Sequence, residues 1–151
     1  MLSLHDGEPF ATGSQPYLFR PATTSDSCKR IIIEVEIQGH RTHAMLDTGA
    51  PYVICNPVMA GLLGLDPAAA LEPKNLLIRG TTIRGWLYRL NLKLRAEEGD
   101  ELIIDATAFV PSAAEAQWPG LPAVVGLEGC LERARFAFDT SNDTFYFGSH
   151  P

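Results

Sequence analysis

Asp47 is preceded by the apolar Ala44-Met45-Leu46 and followed by Thr48, Gly49 and Ala50. A carboxylate that leaves an apolar run for a hydroxyl, a glycine and a small residue belongs at a strand end, in a tight loop, where it can meet a substrate. General acid–base catalysis is the chemistry that fits. Activating a water as nucleophile needs a base for its proton and an acid for the leaving group. Two carboxylates close enough to share one proton supply both, because they cannot both ionise and their apparent pKa values split. Asp47 therefore reads as half of a catalytic pair whose other half lies outside this chain. Gly49 lets the backbone turn closely beneath the carboxylate.

Other polar groups offer less. His40 and His43 flank a turn, and with Cys55 and Asp47 they fit no strong zinc spacing, so neither a metal nor a cofactor is expected. No serine or cysteine has a histidine partner in pattern, and no glycine-rich phosphate loop occurs. Asp139-Thr140-Ser141 superficially copies the Asp47 stretch. A second lobe would need a full set of strands after it, so it reads as turn chemistry.

The elements that must hold Asp47 follow from pattern. Residues 31–37 are β-branched and partly alternating, which suits a strand, and Gln38-Gly39-His40 turns the chain into the strand that ends at Asp47. Residues 51–55 make a third short strand. Asn56-Pro57 is an N-cap followed by proline at the first helical position, predicting a short helix to about Leu63. Residues 76–79 and 86–94 flank a middle bracketed by Gly80 and Gly85, predicting a hairpin, with Leu90, Leu92 and Leu94 on one face. A strand over 101–110, an apolar strand at Ala123-Val124-Val125-Gly126, a short helix over 127–133 and an aromatic hairpin over 136–147 complete the domain. Residues 1–28, rich in Gly, Pro, Ser and Thr, read as an N-terminal arm with at most a short strand at 17–20; the domain proper is 29–151.

Composition narrows the partners. At 151 residues the chain is one mostly β domain, with 46% apolar and 20% charged residues, which excludes a largely disordered chain. A net charge of −6 without a basic stripe argues against nucleic acid. The three widely spaced cysteines point to reduced thiols, not a disulfide framework. No long uncharged apolar run could span a membrane and no signal peptide is visible, so a soluble cytoplasmic protein is expected.

An apolar strand ending in Asp-Thr-Gly-Ala, a glycine-bracketed hairpin and an apolar strand ending in glycine, in that order over roughly residues 30–148, resemble the retropepsin family of retroviral-type aspartic proteases. The resemblance implies a single-lobe acid-protease β-barrel with one or two short helices. It implies Asp47, Thr48 and Gly49 as catalytic residues, with Thr48 locking the two active-site loops together across a homodimer. It places Ala50, Tyr52, Val125 and Gly126 at the substrate, and Thr81, Thr82 and Ile83 in a flap, Ile83 at its tip. A peptide or protein substrate would lie between flap and aspartates as an added strand. Arg79 and Arg84 in that hairpin are either solvated or attract acidic groups, Tyr52 lines a subsite or joins the core, and Trp86 packs under its own hairpin.

The sequence also departs from the viral pattern. Thr81, Thr82 and Arg84 replace flap glycines, and Pro51 and Leu127 replace an acid and an arginine that usually pair. Losing both leaves no orphan charge. Three readings follow: an aspartic endopeptidase active as a homodimer, a retropepsin-fold binding or dimerisation module that cleaves little, and a protease confined to one partner or to its own N-terminal arm. The aromatic hairpin is either the dimer interface or sheet core.

Overall fold

The computed structural model describes residues 1–115 and 117–151. The first four strands are β1 (Leu2–Ser3), β2 (Pro9–Ala11), β3 (Gly13–Pro16) and β4 (Leu18–Arg20). Next come β5 (Arg30–Ile37), β6 (His40–Pro51) and β7 (Val53–Ile54), then the helix α1 (Pro57–Leu63). The chain continues through β8 (Glu72–Ile78), β9 (Thr81–Leu94), β10 (Glu98–Gly99) and β11 (Leu102–Pro111). It closes with β12 (Ala123–Glu128), β13 (Ala134–Asp139) and β14 (Thr144–Ser149), and single 3-10 turns sit at Pro67–Ala69 and Leu131–Arg133. The fold is mostly β, as the pattern predicts.

One eight-stranded sheet carries the architecture, in the order β4-β5-β6-β12-β7-β11-β9-β8. The far end of β9 also pairs with β5, Val35 facing Leu94 and Ile37 facing Leu92, so the sheet curls back on itself. Leu90, Leu92 and Leu94 are all buried within that curl, packed with Ile33, Val35, Ile37 and Ile104. A second sheet, β10-β3-β14-β13, covers one side. The aromatic hairpin belongs to it and is largely core: Phe145 and Phe147 are fully buried, while Phe136 and Phe138 pack half-buried against them. Asp139 caps its turn by accepting from the Ser141 amide at 2.9 Å and from the Asn142 side chain at 2.8 Å, which is the turn chemistry expected there.

Residues 1–28 differ from the expected loop-like arm. They supply four short strands, of which β3 is sandwiched between β10 and β14 while β4 extends the large sheet beyond β5. Buried Gln15 stitches this segment to the rest. Its side-chain amide donates to the Glu34 and Arg95 carbonyls and accepts from the Glu34 amide at 3.0 Å.

The helix begins where its cap predicts. Asn56 Oδ1 accepts from the Met59 amide at 2.9 Å, Pro57 occupies the first turn, and Gly64 ends the helix in a left-handed conformation. Among the described residues no helix is long and apolar enough to cross a membrane.

Candidate active site

The connection from β6 to β7 positions Asp47. These strands are consecutive in sequence but not adjacent in the sheet, because β12 lies between them, parallel to β6 and antiparallel to β7. The chain must therefore cross the end of β12 to get from one to the other. It crosses at Gly126, which faces Asp47 in the ladder. A Cβ on Gly126 would stand 2.4 Å from the Tyr52 carbonyl oxygen and 2.5 Å from that of Ala50. Only a glycine leaves room for the crossing.

Tyr52 completes the crossing in a left-handed conformation, φ 62°, that a tyrosine adopts only when its surroundings enforce it. Two backbone hydrogen bonds do so. Its amide donates to the Glu128 carbonyl and its carbonyl accepts from the Gly126 amide, both at 2.8 Å. The loop is thus pinned to β12 on both sides. At its apex the Gly49 amide donates to Asp47 Oδ1 at 2.9 Å, fixing one carboxylate oxygen, while the other has no partner among the described residues.

Asp47 is half-buried, whereas Thr48 and Gly49 are exposed. Among the described residues the Thr48 hydroxyl has no hydrogen-bond partner. A cleft of about 320 Å³ opens over the carboxylate. Its floor is Asp47, Gly49, Ala50 and Pro51, its apolar wall includes Met45, Ile54 and Val124, and its roof is Leu76 to Arg79 of the β8–β9 hairpin.

The hairpin is present, but its turn lies earlier than the glycine brackets predict. Ile78 pairs directly with Thr81, so Arg79 and Gly80, with φ of 48° and 79°, form a two-residue turn. Gly85 lies inside β9, where a Cβ would meet the Val110 carbonyl at 2.3 Å and the Phe109 ring at 2.7 Å. Ile83 is therefore not a flap tip. It is fully buried with Ile54, Ile78, Leu87 and Phe109. Thr81 and Thr82 lie on β9 and, like Ile83, do not line the cleft; its roof comes from β8 instead.

Two more expected substrate contacts are architectural. Val125 is fully buried in the main core, and Gly126 gives the loop its passage. Tyr52 packs half-buried against the smaller apolar cluster and is not among the residues that line the cleft, and Trp86 packs against the main core. Ala50 does line the cleft. Cys55 and Cys130 are buried, and burial pushes both thiols up to about 12, so they stay protonated.

Sequence reasoning missed the hairpin's anchor. Arg79 forms an ion pair with Asp26, and its other guanidinium nitrogen donates to Thr23 Oγ1 at 3.3 Å. The Asp26 side chain is only 3% exposed and also accepts from the Ala22 amide at 2.9 Å and the Thr23 amide at 3.2 Å. Burial by itself would raise the Asp26 pKa, but Arg79 and the two amides outweigh it and hold the carboxyl below its ordinary value. A carboxyl depressed in the folded state contributes stability above its unfolded pKa of about 3.9 and loses it as pH falls through the folded value. Asp26→Asn is accordingly expected to lower the melting temperature at pH 5–7 and to differ progressively less from the parent below about pH 3.5, as the parent carboxyl also protonates. Thermal melts across that range check it; a constant difference at all pH values would rule out the ion pair as the cause.

The arrangement is a single-lobe β-protein that presents one loop-borne aspartate beneath an anchored hairpin. The family model for aspartyl proteases matches residues 33–107, a span that contains both the Asp47 loop and the hairpin. Among solved structures the chain is similar to a retropepsin-like aspartic protease from Rickettsia conorii, with a TM-score of 0.56 and 18% identity over 90% of each chain. A search of curated proteins finds no match. The fold is retropepsin-like, and just under half of the chain matches the family model for aspartyl proteases.

Proposed function

We propose that the protein is an aspartic endopeptidase that works as a homodimer. Two copies of Asp47, brought together on a two-fold axis, share one proton and activate a water between them. The observation that carries this reading is the Asp47 loop itself. A carboxylate fixed by the Gly49 amide stands at the floor of an open cleft while Thr48 and Gly49 lie exposed beside it. Thr48, whose hydroxyl has no partner among the described residues, is where a second copy would engage, and a C2 interface brings identical residues face to face.

In this reading the substrate peptide is extended between the aspartates and β8. Apolar side chains pack on Met45, Ile54 and Val124, and the hairpin excludes bulk water. One carboxylate, ionised, takes a proton from the attacking water, and the other, protonated, hydrogen-bonds the scissile carbonyl as it becomes tetrahedral. The departing amine then receives a proton from the dyad. Because this chemistry needs one proton between two carboxylates, activity is expected to be best at acid pH. Asp26 stays ionised over much of that range, keeping the hairpin anchored where the dyad works.

One observation favours the alternative of a binding or dimerisation module. The hairpin turn has only two residues and is tied down through Arg79, so it has less freedom to open than a long glycine-rich flap. A peptide-library digest at about pH 4–6 separates the two, the range following from carboxylate pKa values. Cleavage by the parent and none by Asp47→Asn supports the endopeptidase; no cleavage by either, with peptide binding retained, supports the module.

A further inference from the structure

Two cations line the Asp47 cleft, and among the described residues only Arg79 has a partner. Arg79 is held by Asp26 and Thr23. Arg30, the first residue of β5, lines the same cleft, yet among the described residues its guanidinium makes no hydrogen bond or ion pair, and its Nε is buried without an acceptor. A buried donor without an acceptor is costly, and proteins normally supply one.

The ladder shows why Arg30 sits there. Ile32 faces Met45 across β5 and β6. Arg30 and Asp47 each lie two residues further along in the same direction, so both project from the face of the sheet that carries the cleft. They do not form an ion pair with each other among the described residues. Nor do the neighbours neutralise Arg30. Arg20, which faces it on β4, adds a second positive charge, and the Lys29 ammonium lies over the Phe19 ring at 5.6 Å. Arg20 and Lys29 stand outside the cleft's lining, so neither supplies Arg30 with an acceptor there.

We propose that Arg30 determines specificity by binding a carboxylate of the substrate, so that the cleft selects acidic peptides. The proposal rests on the peptidase reading for its placement of the peptide. A guanidinium presents a planar fork that matches a carboxylate through two parallel hydrogen bonds, and a charge-assisted pair of this kind in a half-buried cleft discriminates strongly against the neutral isostere. The other candidates in the hairpin are spent: Arg79 on Asp26, and Arg84, 75% exposed, beside Glu115.

Binding to the Asp47→Asn protein tests this without requiring turnover. The probes are matched apolar peptides carrying Glu or Gln at single positions, each with a free or an amidated C-terminus, titrated by calorimetry. Charged peptides are expected to bind about tenfold or more tightly than their neutral counterparts. Arg30→Gln should bring that ratio to about one, and Arg30→Lys, which keeps the charge but not the fork, should leave an intermediate ratio. A ratio that follows internal Glu assigns the carboxylate to a side chain, and one that follows the free terminus assigns it to the chain end; both support the proposal. Equal binding of Glu and Gln peptides with either terminus, a ratio that survives Arg30→Gln, or no binding of any peptide overturns it. Because this protein cannot turn over, failure of the parent to cleave would defeat the peptidase reading and leave the Arg30 result standing.

Discussion

Asp47→Asn should abolish peptide cleavage, by at least about a thousandfold in kcat/KM, while leaving the fold intact. General acid–base groups contribute about 10²–10⁴-fold each, and this substitution, made in both copies, removes the base and the shared proton together. The fold survives because asparagine keeps the side-chain hydrogen bond that Asp47 makes among the described residues. Its side-chain oxygen still accepts from the Gly49 amide, so the loop apex stays closed. Folding stability should remain within about 0.5 kcal/mol of the parent, as for substitutions that break no buried network. A peptide digest at acid pH and a thermal melt of the same preparation check both halves of the expectation. Equal cleavage by parent and variant would mean that any activity seen is not from this site.

Gly126→Ala is expected to have the largest effect on the fold. The added methyl would sit 2.4–2.8 Å from backbone atoms of three consecutive residues, Ala50, Pro51 and Tyr52, none of which can swing aside as a long side chain would. To admit it, the crossing loop must lift off β12. That breaks the two hydrogen bonds pinning Tyr52 and releases its left-handed conformation. A cost of about 3 kcal/mol is expected, at the upper end for forcing a methyl into a packed interior. It should appear as a lower midpoint in urea unfolding. Activity should fall more than stability does, since Asp47 rides on the displaced loop. An unchanged midpoint would mean that the loop does not cross β12 as described. Together the variants separate the carboxylate's chemistry from the scaffold that aims it.

Much of this scaffold was legible because its signals are local. Asn56-Pro57 starts the helix at the predicted residue, through a cap whose partner is three residues away. Leu90, Leu92 and Leu94 lie on one buried face, as a period of two requires. Gln38-Gly39 turns the chain into β6 with φ of 48° and 83°. Arg79-Gly80 has nearly the same geometry, but Gly85 obscured it, because a glycine that makes room for Phe109 looks in sequence like one that makes a turn. That ambiguity moved Ile83 from the core to a supposed flap tip.

What was not legible depends on pairings distant in sequence. Strand β3 gains its partners from β10 and β14, about 85 and 130 residues away, a range set by ladder register that no window of sequence reveals. Arg30 and Asp47 share a cleft because of the β5–β6 register, and Asp26 meets Arg79 across 53 residues. The chemistry-bearing aspartate could be read from its neighbours. The charges that surround it could not.

The most direct test of a half-site completed by a second copy is a mixing experiment. Parent protein at fixed concentration is titrated with Asp47→Asn protein, and peptide cleavage is followed at acid pH after the subunits have exchanged. Mixed dimers carry one aspartate, so a dyad shared between copies predicts that the rate declines toward zero as the variant comes into excess. A rate that stays constant throughout the titration would contradict the shared dyad and place the whole reaction within one chain.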